Sequence, residues 1–101
     1  MNQLQRNTLL RPVTWDYNIP VEDVDAVLKG DKLMAGHYTR DMLFRKIIES
    51  YPWFTILQIF TPGEIKILLN NDVIKKLRSP SLRKKYAFIQ KRLSEVIPFT
   101  G

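Results

Sequence analysis

The chain is expected to be all-α, with five or six short helices in one compact orthogonal or bundle-like domain. Three observations point there. Apolar residues recur at helical spacing in separate segments, most clearly at Leu43, Phe44, Ile47, Ile48 and Tyr51 and again at Leu82, Tyr86, Ile89, Leu93 and Val96. Start and stop signals flank those segments, Thr, Ser or Pro before them and Gly, Asn or Pro after. With 101 residues, 45% hydrophobic and 26% charged, the chain has room for one core and lies far from disordered compositions.

The division expected is an N-terminal arm over residues 1–14, a single helical domain over 15–98 and a tail over 99–101. The first fourteen residues show no sustained period. Leu9 and Leu10 are expected to pack on something all the same, another subunit included. In "TWDYNIPVEDVDAVLKG", Asn18 or Ile19 precedes Pro20, and Pro is favoured at a first helical position. Glu22, Asp23 and Asp25 suit the positive end of a helix, Val21, Val24, Val27 and Leu28 share one face, and Gly30 is a natural stop. Trp15 and Tyr17 are expected to cap the core just before this helix. "DKLMAGHY" reads as a loop.

Thr39 is an N-cap candidate for the next helix, with Asp41 in its first turn and Arg40, Arg45, Lys46 and Glu49 away from the apolar stripe. Pro52 either interrupts that helix or begins the next. "PWFTILQIF" is rich in β-branched and aromatic residues, yet a lone strand would lack a partner, so a helix is expected. Its inward face is read as Trp53, Ile56, Leu57 and Phe60, leaving Phe54 outside. "TPGE" combines Thr as N-cap, Pro at the first position and Glu at the capping-box position, with Ile65, Leu68 and Leu69 facing inward after it. "NND" at 70–72 ends that helix and caps the short "DVIKKL" turn. Ser79 or Ser81 opens the last helix, and Pro98 ends it.

Cysteine is absent, which excludes disulfides and Cys-zinc sites and favours a cytoplasmic protein. The N-terminus lacks the apolar core of a signal peptide. "WFTILQIF" is far shorter than the roughly 18 residues a membrane helix needs, so no membrane partner is expected.

Catalytic chemistry has little to draw on, and no catalytic residue, metal, cofactor or small-molecule substrate is expected. His37, the single histidine, sits in a Gly-containing loop, and nothing like a nucleophile elbow surrounds Ser50, Ser79, Ser81 or Ser94. Glu22, Asp23 and Asp25 lack the glycine and distal glutamate of a calcium loop. The four glycines are scattered, so there is no phosphate-cradling loop.

Charge is the most uneven feature. Of the net +6, residues 73–101 supply eight Lys/Arg against Glu95 alone, whereas residues 1–72 set eight Lys/Arg against nine acids. Lys75, Lys76, Arg78, Arg83, Lys84, Lys85, Lys91 and Arg92 are therefore candidates for binding nucleic acid or an acidic partner. On a wheel at about 100° per residue the last helix spreads these charges over all that its apolar stripe leaves free, and Gln90 is its one base-reading side chain. Whether Arg78, Arg83 and Lys84 converge on one anion is the question this leaves. Trp53, Phe54, Leu9 and Leu10 are the candidates for contact with a partner protein.

The segments "TWDYNIPVEDVDAVLKGD", "IIESYPWFTILQIF" and "IKILLNNDVIKKLRSPSLRKKYAFIQKRL" together resemble small bacterial proteins of unknown function that occur as upstream partners of AbiEii-type nucleotidyltransferase toxins. Those proteins have a "WD" opening, a central helix pair around a Trp, and a late Arg-Ser-Pro segment before an aromatic-bearing helix. The resemblance spans about residues 14–95 and rests on Trp15, Asp16, Trp53, Arg78, Leu82 and Phe88. It implies an antitoxin-like or accessory role with a protein partner or self-association, nucleic acid being the alternative, and it carries over no catalytic residues.

Overall fold

The computed structural model describes residues 2–14 and 18–97. Among them are seven α-helices and one small ribbon: α1 Gln3–Leu10, α2 Val21–Lys29, β1 Met34–Ala35, β2 Tyr38–Thr39, α3 Arg40–Ser50, α4 Trp53–Ile59, α5 Pro62–Leu68, α6 Asn71–Lys75 and α7 Pro80–Val96. The all-α expectation holds. Trp15, Asp16, Tyr17, Pro98 and the expected tail at 99–101 lie outside the described residues.

Capping chemistry sets most boundaries where the sequence placed them. Thr39 Oγ1 accepts the Met42 N–H at 3.3 Å to start α3. Thr61 and Glu64 form a reciprocal capping box at α5, each satisfying the other's main-chain N–H, with Pro62 at the first position. Asn70 Oδ1 accepts the Val73 N–H at 2.9 Å to start α6, and of the two candidate serines Ser79 caps α7. Gly30 ends α2 at φ 87°, a left-handed cap that residues with a side chain rarely adopt.

The N-terminal segment departs from the arm expectation. Residues 3–10 form a helix with a capping box between Asn2 and Gln5, followed by a 3-10 turn over Arg11–Val13. Leu10 is 0% exposed and Val13 is buried, both within this chain's own core. Leu4, Leu9 and Leu10 give these eight residues no sustained apolar period, and beyond its capping box the helix is fixed by what it packs on, chiefly α2.

The "DKLMAGHY" segment also differs. Met34 and Ala35 pair antiparallel with Thr39 and Tyr38 around a two-residue turn, Gly36–His37. Gly36 takes φ 59° there, a conformation that favours glycine, and a Cβ on it, 2.7 Å from Ile19 Cδ1, would also push that side chain.

At the centre, α3 packs against α2, α4, α5 and α6. Leu43, Phe44, Ile47 and Ile48 are buried as the stripe predicts, and Phe44 meets Phe60 edge-on at 5.4 Å. The inward face of α4 is rotated from the expected one. Thr55, Ile56 and Ile59 are buried, Trp53 is half-buried, and Leu57 turns outward beside Phe54. The stripe on α7 is fully buried at one point only: Tyr86 is buried, Leu82, Ile89 and Leu93 are half-buried against the core, and Val96 is exposed. No helix among the described residues is long and apolar enough to cross a membrane.

Candidate functional site

Two surfaces bring candidate residues together. The first is a basic cleft between the outer face of α3 and the end of α6. Tyr38, Met42, Arg45, Lys46, Glu49, Lys76 and Arg78 line about 600 Å³ of open space. Its position follows from local structure. Arg45, Lys46 and Glu49 lie opposite the buried stripe of α3, while the Leu77 side chain, sunk into the core, turns Lys76 and Arg78 back toward them. The Arg78 N–H donates to Glu49 Oε2 at 2.9 Å, which ties the two walls. Lys46 Nζ donates to the Tyr38 hydroxyl at 3.0 Å and stands 5.0 Å from that ring's centre. Four cations thus face one carboxylate. Among the described residues, the side chains of Arg45, Lys76 and Arg78 form no ion pair.

Of the eight basic candidates from the sequence, only Lys76 and Arg78 reach this cleft. Arg83 turns back, its Nη1 donating to the carbonyls of Leu77 at 2.5 Å and Arg78 at 3.5 Å, so it closes the α6–α7 turn. Arg92 pairs with Glu95 at 3.1 Å along α7. Lys85 Nζ lies 5.6 Å from the centre of the Tyr86 ring. Lys75, Lys84 and Lys91 are exposed, and neither Lys75 nor Lys84 lines the cleft. Arg78, Arg83 and Lys84 therefore do not converge. Gln90 is engaged as well: its Nε2 donates to Leu69 O and to Asn71 Oδ1, both at 3.0 Å, so its amide donors are used within the protein. Arg45 and Lys46 are the members that sequence reasoning left out, since a polar helix face carries no mark of which loop folds over it.

The second surface is apolar. Phe54 is 67% exposed and Leu57 44% exposed on adjacent turns of α4. Beside them a groove runs between α1 and α4, lined by Gln5, Thr8, Leu9, Leu57 and Gln58. Tyr51 holds this junction by donating its hydroxyl to Leu9 O at 2.5 Å, and burial raises its pKa above the usual 10.0. Leu9 is half-buried at the groove, but Leu10 is wholly buried and leaves the set of partner-facing residues. Trp53 is turned inward, its ring 6.2 Å from that of Tyr86 at 70°.

No family model, curated protein or solved structure matches the chain. Function therefore rests on the site geometry.

Two acidic groups of α2 have structural roles. Asp25 is buried, bonded by Arg6 Nε at 2.6 Å and Lys29 Nζ at 2.9 Å, and Asp23 pairs with Lys32 at 3.0 Å. Asp25 is thus spent on holding α1 to α2, and Asp23 on tying α2 to the segment that follows it. No grouping of three or more His, Asp or Glu side chains suited to a metal ion occurs among the described residues. His37 packs its ring 4.2 Å from Tyr38 at the hairpin turn.

Proposed function

We propose that the chain is a non-enzymatic helical interaction protein, antitoxin-like or accessory, that binds a partner protein. The observation supporting this is the Phe54–Leu57 face of α4. The fold has an ample core without these side chains, and in a chain this small two large apolar groups on one face beside an open groove favour association. Phe88, 64% exposed on α7, adds to the apolar surface left over. The resemblance to upstream partners of nucleotidyltransferase toxins supports a protein encoded beside this chain as the partner.

Co-expression with the products of the neighbouring genes tests the reading. A complex of defined stoichiometry should survive gel filtration, and Phe54→Ala should weaken it by roughly tenfold or more. Recovery of the chain as a free monomer from every such co-expression would overturn it.

A further inference from the structure

We infer that the basic cleft between α3 and α6 receives an acidic segment of the partner protein, with Arg45, Lys76 and Arg78 as the residues that hold its carboxylates. The inference rests on the protein-partner reading and adds to it a second, chemically distinct contact. Three side chains carry it. Arg45 comes from α3, whereas Lys76 and Arg78 come from the turn after α6, so two separate elements aim cations into one recess. Among the described residues none of the three has an acidic partner, although the chain uses Asp23, Asp25 and Glu95 to pair cations elsewhere. Unneutralised cations sharing a concave site raise each other's energy, and an incoming anion relieves that repulsion.

The cleft already holds one carboxylate. Glu49 lines the same cleft as the four cations, its Oε2 accepting the main-chain N–H of Arg78 at 2.9 Å, so the side chains of Arg45, Lys76 and Arg78 stay available to a further carboxylate. Met42, half-buried in the cleft wall, adds an adaptable apolar side chain of the kind that suits a peptide.

Nucleic acid fits less well. Single strands are held by stacking bases on exposed rings, and the cleft's one ring, Tyr38, is buried and covered by Lys46. Duplex recognition places a protruding helix with base-reading side chains in a groove, whereas these cations line a cleft between two elements and the amide donors of Gln90 are bonded internally.

Binding of a fluorescein-labelled decaglutamate peptide, measured by anisotropy at about 50 mM salt, tests the inference. The comparison is between Arg45→Glu/Arg78→Glu and Lys84→Glu/Lys91→Glu, which change net charge equally. The cleft variant is expected to lose about tenfold or more in affinity and the α7 variant less than about twofold. Arg45→Gln/Arg78→Gln, gentler on the fold, should show the same ranking. Equal losses in both charge-reversed variants, or no binding by the wild type, would overturn the inference. So would tighter binding of a short duplex DNA with the same dependence on Arg45 and Arg78, since the cleft would then be a phosphate site. A native complex that responds to Phe54→Ala but not to the cleft variants leaves the proposed function standing and removes this inference alone.

Discussion

Arg6 on α1 donates its Nε to Asp25 Oδ1 on α2 at 2.6 Å, both side chains buried, and its Nη1 also donates to the carbonyl of Ile59 at the end of α4. One guanidinium thereby joins three helices, and its carbon lies 5.1 Å from the centre of the Phe60 ring. Gln3 and Lys29 complete the shell of donors around Asp25. Removing Asp25 leaves Arg6 buried without its counterion, which is far costlier than losing an exposed pair. Asp25→Ala is expected to destabilise the fold by about 3 kcal/mol in urea unfolding. A cost below about 1 kcal/mol would show that α1 does not depend on this pair.

The same carboxylate sets part of the acid response. Burial alone would raise the Asp25 pKa, but the hydrogen bonds and charges of Lys29 and Arg6 outweigh it and hold the group below its ordinary 3.8. A depressed folded-state pKa stabilises the fold above the unfolded value, and this contribution is lost as pH falls below 3.8 through the folded pKa. Asp25→Asn should therefore flatten the acid limb of the stability profile. Urea midpoints taken from neutral pH down into that range would show it.

Leu10 tests the placement of the N-terminal segment. An outward-facing arm would lose little on truncation of this side chain, whereas a wholly buried leucine costs about 3 kcal/mol when cut to alanine. Thermal unfolding of Leu10→Ala is the measurement, with Leu4→Ala, at an exposed position of the same helix, as the control.

Tyr86 governs the alkaline side. Burial pushes its phenol from 10.0 up to about 12, because a phenolate would be stranded among apolar side chains. The unfolded chain releases that proton first, so stability is complete below pH 10 and falls as pH rises toward 12. Tyr86→Phe keeps the edge-on ring contact with Trp53 and should remove this alkaline loss. In the wild type, ultraviolet titration should find a tyrosine ionising near pH 12 that is missing from Tyr86→Phe.

Asn70 joins two helix starts, its Oδ1 capping α6 and its Nδ2 donating to Asp41 Oδ1 in the first turn of α3 at 2.9 Å. Asn70→Ala is expected to cost about 1–2 kcal/mol, measured by chemical unfolding. Asn70→Asp keeps the cap but sets two carboxylates together in place of the Asn70–Asp41 hydrogen bond, so it should also be less stable than the wild type.

By itself the sequence determined the helices whose signals are local. Period, capping residue and breaker all lie within a few positions of one another in α2, α3, α5 and α7, and the backbone geometry answers to them directly. The chain's basic tail and its exposed Phe54 were legible for the same reason. What only tertiary structure decided depends on residues distant in sequence meeting in space. Eight N-terminal residues are a helix because Leu10 and Arg6 find a core and a buried carboxylate. The last turn of α7 leaves Val96 in solvent because nothing in the described fold covers it. Tertiary placement also set the cleft: Arg45 and Arg78, 33 positions apart in the chain, share one recess. Arg83, five residues beyond Arg78, is consumed by the α6–α7 turn. Charge is a property of the sequence, but the convergence of charges is a property of the fold.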